Sequence, residues 1–348
     1  MDSRRLRFRR LRFGRLRFHW SVGHSAGGDR PRGAESRTGA SAVPDLAAHV
    51  ELCRLAEECG IDSLLLPTGF HRADPVAMAA ALGPETTRVT FMAAFRSGVV
   101  FPTYFVQQVN TVSALTGGRV SVSVVAGHTP AEQRSYGDFL PHDERCRRSD
   151  EFWTVCHALW RGQGPVDFEG RYFKVEGARL NTPFVSGGRK APEIYFGGDS
   201  AEAERVAARH GDCVLRSADT PERMGLRVPA LREHGVELGM ACSLIAMPTR
   251  QEAVEAAYAL AGRDPAWLTP YLWRGAVPSV GPPAMALVGS ADDLADALLA
   301  YGRAGVSQFL FQGRPDREAM TFFGQEILPR VRKREPAVAV PAEQGREA

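Results

Sequence analysis

The chain has 348 residues, 44% of them hydrophobic, and a formal net charge of +3. That length suits one large or two medium globular domains, and no run of about 18 apolar residues argues for a membrane span. Residues 1–17 hold eight arginines and one aspartate (+7), so the remainder carries −4 and offers no basic face for nucleic acid.

The first feature in chain order is a repeat, RLRF, at Arg5–Phe8, Arg10–Phe13 and Arg15–Phe18. Its five-residue spacing fits neither a helix nor a strand period. Residues 1–15 are therefore expected to be a disordered basic extension, of the kind left by translation from upstream of the natural start. The last copy runs into a strand, Leu16–Val22. A Gly/Ser/Arg-rich loop follows to Ala42, then a helix over Val43–Cys59, a buried strand over Asp62–Leu66, a helix over Ala73–Leu82, a strand over Arg88–Ala94 and a helix over Tyr104–Leu115. Arg119–Ala126 (RVSVSVVA) is the clearest strand, alternating and β-branched.

Glu144–Arg161 reads as a helix and Val166–Leu180 as a hairpin around Glu169-Gly170. Strands at Pro192–Phe196 and Cys213–Arg216 flank a helix over Ser200–His210. A helix near Glu222–His234, a strand over Gly239–Met247 and a helix over Thr249–Gly262 come next. Arg263–Ala286 is irregular and rich in Pro, Gly and Trp. A helix over Ala291–Arg303, a strand over Ser307–Gln312 and a helix over Pro315–Arg332 complete the pattern. The tail from Arg334 is expected to be disordered.

Eight strands alternate with about eight helices across residues 16–333, with no linker between halves. This is the pattern of a single (β/α)8 TIM barrel with insertions. A doubly wound sheet would place its glycine fingerprint in the first βα turn. Here the first connection is the long Gly23–Ala42 loop, and the glycine turn follows the fifth strand. A barrel keeps its chemistry at the C-terminal strand ends. That rim collects His19, Trp20 and His24; Thr68 to Arg72; Phe95 and Arg96; Gly127 and His128; Gly197 to Ser200; Arg216; Ser243; and Gln312 to Arg314.

The glycine turn carries the most information. The run PEIYFGGDSAEAERVAARH stops as a strand at Gly197-Gly198 and restarts as a helix capped by Asp199 or Ser200. Its outward backbone N–H groups suit a phosphate, although an ordinary N-cap turn has the same residues. The six cysteines contain no C-x-x-C pair and sit in apolar patterns. They read as reduced core residues of a cytoplasmic protein, and no metal-ligand spacing is present.

Pro67-Thr68-Gly69, the stretch LTGGRVSVSVVAGHTPAEQRSYG (115–137), His142-Asp143-Glu144-Arg145 and YFGGDS (195–200) occur in a characteristic order. In these motifs the chain resembles the bacterial luciferase-like flavin monooxygenases, most nearly the alkanesulfonate monooxygenase branch, from about Leu16 to Arg332. The resemblance implies reduced FMN supplied by a separate NAD(P)H-dependent flavin reductase, reaction of that flavin with O2, oxygenation of a small substrate, and a homodimer or homotetramer. It implies a phosphate near Gly197, Gly198, Asp199 and Ser200 with His142 and Arg145, and an isoalloxazine near Thr68, Ala94, Phe95, Arg96, Val125 and Gly127. For His142, a plain helix-start position is the alternative.

The chain departs from the sulfonate-oxidising pattern. Arg72 replaces a cysteine and Ala241-Cys242-Ser243 an R-x-H, Pro278-Ser279-Val280 lacks the loop arginine, and Arg314 replaces a tyrosine; Cys146 replaces the tyrosine that the nitrilotriacetate and thiophene-oxidising branches carry in H-x-x-x-Y from His142. The catalytic candidates are therefore His19, Trp20, Arg72, Ser243 and Arg314, and the expected substrate is larger, partly aromatic or acyl. The segment 263–286, with Trp267, Tyr271 and Trp273, has the length of a water-excluding lid. The rival readings are a deazaflavin-dependent oxidoreductase of the same fold, a non-catalytic flavin-binding barrel and a basic-arm interaction protein.

Overall fold

The alternating β-branched stretches pair side by side as parallel strands that close on themselves. The computed structural model describes residues 15–22, 44–69, 72–125, 127, 130–260, 265–275, 285–312 and 317–335. Strands β1 (Arg17–Ser21), β2 (Ser63–Leu66), β3 (Thr90–Phe95) and β4 (Val120–Val125) come first. A hairpin of β5 (Val166–Glu169) and β6 (Lys174–Ala178) precedes β7 (Glu193–Gly197), β8 (Cys213–Ser217) and β9 (Glu237–Ala246). Then come β10 (Ala266–Trp267), β11 (Leu272–Arg274), β12 (Met285–Gly289) and β13 (Val306–Phe311). The barrel order is β1-β2-β3-β4-β7-β8-β9-β13, and β13 returns to β1. All eight barrel strands fall where the alternating pattern places them.

The helices are α1 (Leu46–Glu58), α2 (Pro75–Leu82), α3 (Pro102–Leu115), α4 (Pro130–Ser135), α5 (His142–Arg161), α6 (Ala201–His210), α7 (Pro221–Gly225), α8 (Val228–Glu233), α9 (Arg250–Leu260), α10 (Ala291–Ala304), α11 (Arg317–Phe322) and α12 (Leu328–Arg334). The single helix expected over 222–234 is two short ones, α7 and α8, with Pro229 opening the second. None of the described helices is long and apolar enough to cross a membrane.

Strand pleating sends alternate residues inward. At the N-terminal end the interior is charged. Arg17 donates to both oxygens of Glu193 at 2.8 and 2.7 Å and approaches Glu237 at 3.3 Å. Gln308 donates to Glu237 at 2.7 Å and accepts from His19 Nε2 at 2.9 Å, which leaves His19 Nδ1 to accept from Ser63 Oγ at 2.5 Å. Leu65, Leu215 and Leu310 form an apolar plug above this network, in one cluster with Met92, Tyr195 and Cys213 beneath them. The register then puts Ser21, Ala94, Gly197 and Ala241 in the uppermost layer of alternate strands. These four residues are no larger than serine, so the mouth is shallow and floored by leucines.

The ten-residue β9 serves two sheets. Its first part closes the barrel, and Ser243–Ala246 leaves it to pair with β12, which carries β11 and β10. Trp273 is buried there against Ile245, Ala253, Ala257 and Val288. The lid expectation for 263–286 thus divides. Residues 266–274 are packed side sheet, because an indole is too apolar to stay in water at a strand position facing α9; residues 276–284 lie outside the described residues. The RLRF copies at Arg5 and Arg10 also lie outside them. At the other end, α12 runs through Arg334, and Glu335 accepts from Leu16 N at 2.6 Å, so order extends past the expected tail boundary.

Candidate active site

The turn after β7 is built for glycine at one position. Gly198 has φ +145°, a conformation side-chain-bearing residues rarely adopt, and a Cβ there would stand 3.2 Å from Ala203 Cβ. Ser200 is the N-cap of α6, with Oγ accepting from Ala203 N at 3.1 Å. Asp199 is committed elsewhere. Its carboxylate accepts from Ser217 N (3.3 Å) and Ser217 Oγ (2.7 Å) and pairs with Arg216 Nε at 3.4 Å. Arg216 also holds Asp199 O at 3.0 Å and Glu204 at 2.7 Å. Asp199 and Arg216 therefore fasten the turn to β8 and α6, and the acid is held away from an incoming anion.

Helix α5 starts opposite this turn, with no side-chain cap. Its first residue, His142, lies with Nε2 3.1 Å from Ser200 Oγ, and Cys146 Sγ is 3.7 Å from the same nitrogen. Two helix N-termini, each with unpaired N–H groups and positive partial charge, so converge on one spot. His142, Asp143 and Glu202 each bring one metal-type donor atom within 4.8 Å of the others. The positive ends of both helices oppose a cation at that point, and no metal is assigned.

Behind the turn is a small cavity of about 30 Å³ lined by Arg96, Arg145, Arg148, Asp138, Gly197 and Ala203, among others. Three guanidiniums and the Asp138 carboxylate line it. Arg148 Nη2 pairs with Asp138 at 2.6 Å and Arg145 Nη1 donates to Leu140 O at 2.7 Å. Arg148 Nε and Arg96 Nε and Nη1 are buried without an acceptor. Unpaired buried N–H groups of a permanent cation are expensive, and an anion in the cavity removes that cost.

Arg96 follows β3. Its Nη2 meets Glu132 Oε1 at 2.9 Å, and its guanidinium lies over the Tyr136 ring at 5.7 Å. Gly127 (φ +77°) gives room beside it, since a Cβ there would stand 2.8 Å from Gln133 Nε2. Among the other sequence candidates, Ala94 sits in the top interior layer, Thr68 is half-buried after β2, and Val125 ends β4. Arg72 is half-buried after β2; burial pulls its pKa below the ordinary arginine value, against the opposing charge of Glu132.

Two candidates do not reach the mouth. His19 is one layer too deep, below Leu65 and Leu310, and burial together with the Arg17 charge lowers its pKa, so it is a neutral, fully hydrogen-bonded core imidazole. Trp20 points the opposite way, into the helix layer, where it packs edge-on against Phe311 and Phe323. The residue pattern HWS placed both on the rim because a strand end cannot be fixed to one residue from sequence. Ser243 is buried with Oγ unpaired, at the point where β9 leaves the barrel. Arg314 lies outside the described residues, as do His24, Phe70, His128 and Pro278–Val280.

Arg148 escaped the sequence reading although it had a signal. His142, Arg145 and Arg148 recur at i, i+3 and i+6, one face of α5. Glu132 and Tyr136 had none, because α4 is only six residues long and shows no period.

Among solved structures, the chain is similar to EDTA monooxygenase (EmoA) from Chelativorans sp. BNC1, at 18% identity over 92% of this chain and 94% of that one, TM-score 0.72. It is similar to riboflavin lyase (RcaE), solved with modified FMN and riboflavin, at 19% identity over 92% of each chain, TM-score 0.73. It is also similar to the coenzyme F420-dependent tetrahydromethanopterin reductase from Methanopyrus kandleri, at 16% identity over 90% of this chain and 99% of that one, TM-score 0.68. At such identities the likeness is one of fold. Residues 17–308, from the first barrel strand into the last, match the model of a family described as luciferase-like monooxygenase. With its closed parallel barrel and that match over most of its length, the chain belongs to the luciferase-like monooxygenase family.

Proposed function

We propose that the protein is a two-component flavin monooxygenase that takes reduced FMN from a separate NAD(P)H-dependent flavin reductase and uses O2 to oxygenate a small organic substrate. The observation that carries this reading is the cavity behind the Gly197–Ser200 turn, where arginine N–H groups are buried without acceptors and two helix N-termini meet. FMN ends in a phosphate dianion, and charge-assisted hydrogen bonds from guanidinium and helix N–H groups are the strong way to hold one.

The donor set fits that group. His142, Arg145, Arg148 and Ser200 would hold the phosphate, and Gly198 lets the backbone reach it. Arg96, Thr68, Val125 and Gly127 would border the flat ring, and the small Ala94 and Gly197 side of the mouth admits it. Bound FMN supplies the oxygen chemistry. The chain's own tasks are to orient the ring, to hold its charge and to keep water out, for which Leu65, Leu215 and Leu310 provide a dry floor. His19 lies beneath that floor and takes no part in proton transfer.

The altered sulfonate-binding positions support a substrate other than a simple alkanesulfonate. We place the protein in the cytoplasm, as a homo-oligomer. Oxygen uptake with FMN, a flavin reductase and NADH tests the cofactor assignment, and octanesulfonate in the same mixture should release no sulfite. The fold shared with an F420-dependent reductase supports one rival, hydride transfer with a deazaflavin. Turnover with reduced F420 and no oxygen uptake with reduced FMN would establish that rival instead.

A further inference from the structure

The barrel rim carries a second cationic group, of which Arg72 is left unused by the cofactor. Arg72 follows β2, Arg96 follows β3 and Glu132 stands on α4, so three successive βα connections meet around one carboxylate. Glu132 Oε1 is 2.9 Å from Arg96 Nη2, and each side chain keeps 13% exposure. Glu132 Oε1 and Arg72 Cδ both flank the open side of Gly69, at 3.2 and 3.6 Å from where a Cβ would stand. Among the described residues, Glu132 is the charge that acts on Arg72.

The charges there do not balance. Arg96 takes up the Glu132 carboxylate, and Arg72, which stays protonated at any physiological pH, forms no ion pair among the described residues. A partly desolvated surplus charge of +1 favours a monoanion over a neutral ligand. It is a poor match for a phosphate dianion, which has the Arg145–Arg148 cavity and the helix ends of α5 and α6. The planar guanidinium fork suits a bidentate contact with a carboxylate.

We propose, on the reading of this barrel as a flavin monooxygenase, that Arg72 binds the carboxylate of the substrate at the mouth and that Glu132 is the internal anion that sets the strength of that contact. The substrate class is then an acyl or aromatic acid, oxygenated away from its carboxylate end. Replacing Glu132 by glutamine should tighten anion binding, because it removes the competing charge while keeping the shape.

The test is calorimetric, with octanoate, octanamide and octanesulfonate titrated into the full chain loaded with oxidised FMN. Wild type should bind octanoate at least tenfold more tightly than octanamide, and more tightly than octanesulfonate. Arg72→Ala should erase the preference over octanamide and leave the FMN Kd within twofold, and Glu132→Gln should strengthen octanoate binding several-fold. Equal binding of octanoate and octanamide by wild type overturns the proposal, and equal binding of octanesulfonate overturns the choice of a carboxylate. An Arg72→Ala variant that loses FMN as strongly as octanoate assigns Arg72 to the cofactor and overturns it too. Failure of wild type to bind FMN is a separate result that counts against the cofactor reading, and the octanoate preference is then measured on the unloaded protein.

Discussion

Replacing Ser200 isolates the turn's two tasks. Its Oγ accepts from Ala203 N at 3.1 Å and stands 3.1 Å from His142 Nε2. Alanine removes the N-cap, which costs about 1 kcal/mol and lowers Tm by about 1–2 °C in a chain of this size. It also removes a hydroxyl that can donate to the phosphate. A hydrogen bond to a charged group contributes about 1.5–3 kcal/mol, which corresponds to an FMN Kd raised roughly 10- to 150-fold. Glycine separates the two, since it caps a helix within a few tenths of a kcal/mol of serine. Ser200→Gly should therefore keep the wild-type Tm and still bind FMN weakly, and Ser200→Thr should restore both. FMN fluorescence quenching gives the Kd and thermal unfolding gives Tm. If Ser200→Gly binds FMN as wild type does, the hydroxyl does not hold the phosphate and the assignment of the turn fails.

Gly198→Ala forces a side chain into φ +145° and against Ala203, which should cost about 1–3 kcal/mol of stability and weaken FMN binding with it; an unchanged urea midpoint would refute the strain. Glu193→Gln leaves Arg17 underpaired at the closed end of the barrel, so about 3–5 kcal/mol should be lost and Tm should fall by about 4–7 °C, with the FMN Kd unchanged. Burial alone would raise the Glu193 pKa, but the hydrogen bonds and charge of Arg17 bring it down to about 2 from 4.5. A carboxylate depressed in the folded state contributes its full stability above pH 4.5 and loses it as pH falls toward 2. The variant should therefore show a flatter stability profile than wild type across that interval, measured by urea unfolding at stepped pH. Trp20→Ala should destabilise by about 3–5 kcal/mol through lost packing and leave FMN affinity unaltered; selective loss of FMN binding would contradict its place in the helix layer.

Local pattern decided the barrel. Each strand alternates or is continuously apolar because one face meets helices and the other the interior, and this periodicity is written in neighbouring residues such as Arg119–Ala126. The glycine turn was equally legible, since only glycine tolerates the φ of Gly198 and a serine beside it marks a helix start. Tertiary structure decided which way each rim residue points and what it meets. His19 and Trp20 are adjacent in sequence, yet one faces a buried hydrogen-bond chain and the other the outer core, because a strand end shifted by one residue moves a side chain across the sheet. Asp199 looked like part of the anion site, but Ser217 and Arg216, distant in sequence, hold it away. Glu132 pairs with Arg96 from a six-residue helix too short to show a period. Charge partnership of this kind depends on distances between separate connections, which folding sets and the order of residues along the chain does not reveal.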